Sequence, residues 1–121
     1  MGKRITKTNP NLVELIRALK DKYAVEGSAI WEDVAKRLER ATRRRAEVNL
    51  FSINRNSAED ETVLVPGKVL ASGFLDHKVK VVALNFSSLA KERIEGIGGE
   101  CISIKDIMEL NPKGRNIRIL E

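Results

Sequence analysis

The sequence has one cysteine, Cys101, and one histidine, His77, in 121 residues. A lone thiol closes no intrachain disulfide, and together with a lone imidazole it falls short of the four ligands of a structural zinc site. Such thiol usage fits a reducing compartment. Aromatic residues are scarce too, at 4%. A core must then be built from Leu, Ile, Val and Ala. A platform that stacks successive bases of a single strand needs several exposed rings along a groove, so it is not expected. No apolar run approaches the ~18 residues that would span a bilayer, so no membrane is expected as a partner. The basic start MGKRITKTNP has no apolar stretch behind it and does not read as a secretory signal. The expected location is the cytoplasm.

What the sequence has in quantity is charge, with 22 Lys and Arg against 17 Asp and Glu. Residues 36–45, KRLERATRRR, hold Lys36, Arg37, Arg40, Arg43, Arg44 and Arg45 against Glu39 alone. That segment contains the whole surplus of five, and the rest of the chain carries 16 residues of each sign. A positive field so concentrated points to a polyanionic partner. The planar fork of arginine grips phosphate oxygens at two points, which the lysine ammonium does not. The plainer reading is a solvated charged face. The arginine bias and the position at the end of a helix favour phosphate.

The length fits one domain, and 42% apolar with 32% charged residues fits a globular fold with a charged surface. Residues 1–8 read as a basic N-terminal arm or as a ragged terminus. Residues 9–121 read as a single domain, helical over 9–45 and α/β over 46–121. Asn9-Pro10 opens a helix with Leu12, Val13, Ile16, Leu19 and Tyr23 on its apolar side, closed near Gly27. Ser28 is placed to cap a second helix carrying Ile30, Trp31, Val34, Ala35 and Leu38. Where it ends, before or within the arginine run, is open. Val48, Leu50 and Ile53 suggest a short extended segment. Thr62 to Pro66 reads as a buried strand, Pro66-Gly67 as a turn, and residues 68–71 as a second short strand. Alternation predicts a strand over 78–86. A third helix starts at Ser87-Ser88 and stops at Gly98-Gly99. A strand follows over 100–104, then a short helix capped by Ser103 with Asp106, and a last strand at Ile117 and Ile119. The class is α/β: N-terminal helices followed by an irregular series of strands joined by helices or turns.

Beyond the arginine run, the candidate RNA-binding residues are Lys3, Arg4 and Lys7 in the arm, Asn49, Asn54 and Arg55, then Lys68, His77 and Lys78, and finally Lys113 and Arg115. Amide and guanidinium groups suit sugars, phosphates and base edges, although Asn is also a turn residue. His77 lacks the orienting partner of a general base, since on a strand its neighbour Asp76 would point to the opposite face. Gly96-Ile97-Gly98-Gly99 closes a helix rather than opening one, so it reads as a C-cap and not a phosphate loop. Cys101 reads as a buried structural thiol. No nucleophile–base pair, metal cluster or cofactor loop is present, so no enzyme, no cofactor and no small-molecule substrate is expected. An interaction module that docks its arginines on an acidic protein is the alternative to a nucleic-acid binder.

Several stretches together resemble one family. They are Arg45-Ala46-Glu47-Val48-Asn49-Leu50, Ile53-Asn54-Arg55, Val65-Pro66-Gly67-Lys68-Val69-Leu70, His77-Lys78-Val79, Gly98-Gly99-Glu100-Cys101 and Asn111-Pro112-Lys113-Gly114. With Trp31 and the Asn9-Pro10 start, they look like the archaeal and eukaryotic large-subunit ribosomal protein eighteen-e family, and the size suits an archaeal member. That family is similar in its C-terminal module to bacterial ribosomal protein fifteen. The resemblance implies an irregular superhelix of β-β-α turns. It also implies a ribonucleoprotein role in translation, with large-subunit rRNA and neighbouring large-subunit ribosomal proteins as partners.

Overall fold

The structure is a computed structural model that describes residues 10–40 and 45–121. Two helices come first, α1 (Pro10–Glu26) and α2 (Ala29–Leu38). Next come β1 (Ala46–Asn49), α3 (Leu50–Arg55), β2 (Thr62–Leu70) and β3 (Lys80–Phe86). The chain ends with α4 (Ser88–Gly96), β4 (Glu100–Ser103), α5 (Ile104–Leu110) and β5 (Ile117–Ile119). The expected class is the one observed: N-terminal helices, then a parallel sheet with interleaved helices.

Strand β2 organises the sheet. One edge pairs with β3, which in turn pairs with β4. The other edge is shared end to end: β5 lies beside Thr62–Leu64 and β1 beside Gly67–Leu70. Every pairing is parallel. A parallel sheet has both faces covered, and its strands are apolar accordingly. On one face Val63, Val65, Val69, Val81 and Ala83 pack with Leu50, Ile53, Ala90 and Ile94 from α3 and α4. On the other, Leu64, Val82 and Ile102 pack with Leu19, Trp31, Val34, Leu38 and Ile107 from α1, α2 and α5. Trp31 is wholly buried, and its indole N–H donates to the Pro112 carbonyl at 2.8 Å, tying α2 to the turn after α5.

The structure departs from the sequence expectations at particular residues. Pro66-Gly67 is not a turn: it lies inside β2, at a register shift between Val65 and Lys68. A bulge is where an interior strand tolerates a residue with no N–H. Gly67 is there for space, because a Cβ would meet the Ala46 carbonyl oxygen at 2.0 Å. Residues 50–55 are helical rather than extended. Asn49 caps them by accepting from the Ser52 N–H at 3.0 Å, and Leu50 and Ile53, three apart, share the buried side. Helix α2 ends at Leu38, with Lys36 and Arg37 in its last turn. Ser28 holds its N-cap position without a side-chain hydrogen bond. In α1, Leu15 joins Leu12 and Ile16 against the core, while Tyr23 is exposed. Strand β3 begins at Lys80 rather than residue 78, and β4 ends at Ser103.

Candidate nucleic-acid interface

Helix α3 leads away from the end of β1, and the segment joining β2 to β3, residues 71–79, runs beside it. Three hydrogen bonds fasten the two. The Phe51 N–H donates to the Ser72 carbonyl at 3.0 Å. The Asn54 side-chain oxygen accepts from the Asp76 N–H at 2.9 Å. Ser57 Oγ lies 2.9 Å from His77 Nε2. The result is a ledge that carries Asn54, Arg55, His77 and Lys78 together. Arg55 lies over the Phe51 ring, 5.9 Å from its centroid.

His77 does have a partner, contrary to the expectation from alternation. Residues 76 and 77 lie in a bend ahead of β3, so alternation does not apply, and Asp76 Oδ1 lies 2.7 Å from Nδ1. That contact, and hydrogen bonding from Asn54, hold the Asp76 carboxyl below its ordinary range. Ser57, His77 and Asp76 thus stand in a row, but not as a catalytic relay. Ser57 Oγ donates to the Ile53 carbonyl at 2.6 Å, so its proton is committed to the helix and is not available to the imidazole. The row fastens α3 to the ledge.

The second basic group lies at the C-terminal end of α2. Lys36 is exposed there. The Arg37 guanidinium takes Asp33 Oδ1 at 2.7 Å and also pairs with Glu121 Oε1. Arg40 reaches Glu121 Oε2 at 2.6 Å. The Asp33 hydrogen bond raises the Arg37 pKa further. Arg45 turns back, its Nε donating to the Leu38 carbonyl at 3.2 Å, so it caps the helix end. Arg43 and Arg44 lie outside the described residues, as do Lys3, Arg4 and Lys7.

The remaining candidates sit apart. Lys113, paired with Glu26 at 3.2 Å, and Arg115 lie beyond α5, near the start of α2. About ten helical residues, roughly 15 Å, separate them from Arg40. Lys68 is exposed on β2, and Lys78 stands 3.8 Å from Asp60. Asn49 serves as the cap of α3, a role that its place before Leu50 and Ile53 could have suggested. Missed entirely were Ser57, Glu121 and Arg93, whose Nη1 donates to the carbonyls of Ala71 and Gly73 at 2.8 and 3.1 Å. Cys101 is half-buried, and burial, with Glu95 nearby, pushes its thiol up to about 11. Among the described residues no cluster of His, Cys, Asp and Glu could hold a metal, and no helix is long and apolar enough to cross a membrane.

A family model described as ribosomal protein 60S L18 and 50S L18e matches residues 5–121. The chain is 62% identical over 121 residues to the large ribosomal subunit protein eL18 of Methanothermobacter thermautotrophicus, covering 100% of both chains. It is 50% identical over 120 residues to that of Methanosphaerula palustris and 42% over 118 residues to that of Methanococcus maripaludis, covering 99% and 98% of both chains.

Proposed function

This chain belongs to the ribosomal protein 60S L18 and 50S L18e family, and from that premise we propose that it binds and stabilises large-subunit rRNA by setting Arg and Lys side chains against phosphates. It is a structural protein of the large ribosomal subunit, not an enzyme, and its place of work is the cytoplasmic ribosome. The observation that carries the rRNA reading is the distribution of charge. Residues 36–45 carry the whole surplus of five, and the rest of the chain carries 16 residues of each sign. A balanced chain with its surplus concentrated in ten residues suits a protein that docks by neutralising phosphates and releasing counterions. Arg43, Arg44 and Arg45 are its electrostatic centre. Lys36 and Arg37 extend it along α2 and Arg40 just beyond the helix, and Asn54, Arg55, His77 and Lys78 act from the ledge. Residues 9–121 work as one domain, with 1–8 as a basic arm.

The test is the salt dependence of binding to protein-free large-subunit rRNA. Contact with ~6–10 phosphates lowers affinity about 10³- to 10⁵-fold between 50 and 200 mM salt, by analogy with duplex DNA. A flat response refutes the reading. Retention on large subunits through nuclease treatment and a high-salt wash separates it from an adaptor that docks on an acidic protein outside the ribosome.

A further inference from the structure

The chain has five aromatic residues, and the backbone segments that carry its two most exposed rings pack against each other. Phe51 is 56% exposed and Phe74 is 70% exposed. Both stand just past the carboxyl ends of adjacent strands, Phe51 two residues after β1 and Phe74 four after β2. In open parallel sheets that is the end where ligands bind. Neither ring hangs on a loose loop. The Phe51 N–H is held by Ser72, and Gly73 packs so closely that a Cβ there would fall 2.6 Å from the Phe51 nitrogen. Gly73 also has φ of +89°, which a side chain disfavours. Arg93 clamps the same segment from α4 through the carbonyls of residues 71 and 73. The fold thus fixes the backbone beneath two apolar rings that it leaves in water, an arrangement that calls for an occupant.

We propose that Phe51, Arg55 and Phe74 form a stacking site for an unpaired base of large-subunit rRNA. The inference rests on the rRNA reading and adds a base contact to its phosphate contacts. A nucleobase is favoured over an apolar protein side chain by what surrounds the rings. Arg55 lies over Phe51, and Arg93 lines the shallow pocket beside Phe74 with Leu75 and Ile97. A base inserted against these rings meets aromatic and guanidinium surfaces, both of which stack on bases, while its phosphate meets positive charge. The one acidic side chain on this stretch of the segment, Asp76, is engaged by His77 and Asn54. The scarcity of aromatics still argues against an extended platform. A site for one base needs only the rings found here.

The test compares wild type, F51L/F74L and F51Y/F74Y on protein-free large-subunit rRNA from Methanothermobacter thermautotrophicus, across a salt series. Leucine keeps the exposed sites apolar and helix-compatible, and thermal melts of all three proteins check the fold. The expected result is a loss of about 5- to 150-fold for F51L/F74L with an unchanged salt slope, and near wild-type binding for F51Y/F74Y, because a ring is retained. Equal affinity of wild type and F51L/F74L, with the wild-type salt slope still steep, overturns the stacking site and leaves the rRNA reading standing. Normal binding of F51L/F74L to bare rRNA but poor retention on whole subunits overturns it in favour of a neighbouring protein. A flat salt response from the wild type itself removes the rRNA reading and the stacking site together.

Discussion

Glu121 holds two of the arginines expected to meet phosphate, so Glu121→Gln tests whether those arginines do so. The side chains of Arg37, Arg40 and Glu121 are 27%, 40% and 29% exposed, and solvent screens pairs of that kind. Each contributes about 0.2–1 kcal/mol, so the two together contribute about 0.4–2 kcal/mol. Glutamine keeps the shape and one acceptor but removes the charge. Thermal stability should fall by about 2–8 °C, at roughly 4 °C per kcal/mol for a domain of this size. The same free energy opposes rRNA, because a phosphate must displace Glu121 to reach Arg37 and Arg40. Affinity should therefore rise while stability falls, by a factor of about 2–30 at low salt. Arg37 keeps its bond to Asp33, which places the gain toward the lower half of that range. The difference should shrink as salt rises and screens the pair. Melting curves and titrations of labelled rRNA between 50 and 200 mM salt measure both sides. A loss of stability with unchanged affinity shows that Arg37 and Arg40 do not touch phosphate. A loss of both shows that Glu121 positions the arginines rather than competing for them.

Arg45 should separate from its neighbours in the same experiments. Arg45→Ala removes the bond to the Leu38 carbonyl and should cost about 1 kcal/mol, or about 4 °C, whereas Arg43→Ala/Arg44→Ala should leave melting unchanged while reducing the salt slope by about one for each phosphate no longer neutralised. If all three arginines shift melting alike, the distinct role of Arg45 is wrong. Trp31→Phe deletes the bond to Pro112 and leaves a void in a wholly buried site, so the denaturant midpoint should fall by the equivalent of about 2–3 kcal/mol at unchanged m. A change below about 0.5 kcal/mol would mean that this hydrogen bond does not tie α2 to the turn after α5. With its thiol raised to about 11, Cys101 should be alkylated at pH 8 about 10- to 100-fold more slowly than a free thiol of pKa ~8.5, accelerating until the pH passes 11. A rate that levels off near pH 9 contradicts the burial argument.

The helices α1, α2, α4 and α5 were legible because each shows apolar spacing together with a terminal signal, such as Ser87 or Ser103 with Asp106. The stretch 46–55 was not, since four strand residues followed by six helical ones are too few to display either period. Pro66-Gly67 misled for another reason. Local turn chemistry was overridden by the pairing of β2 on both edges, and the glycine answers to the carbonyl of Ala46, about twenty residues earlier. The charge surplus was visible as a count. Its restraints were not: Glu121 meets Arg37 and Arg40 across 84 and 81 residues, and the ledge is fastened by hydrogen bonds 20–22 residues apart. The partner of His77 was hidden because strand alternation fails in a bend.

The divided edge of β2 has a consequence during synthesis. Strand β1 is made before β2 and can cover residues 67–70 as soon as they emerge. Residues 62–64 wait for β5, which follows only after β3, α4, β4 and α5 have been made. Until Ile117–Ile119 dock and the Leu120 N–H reaches the Leu64 carbonyl, an apolar, hydrogen-bond-hungry edge stays open on the growing chain. Such an edge is a template for pairing with another copy. The period of greatest aggregation hazard thus belongs to the nascent protein, and the final strand ends it.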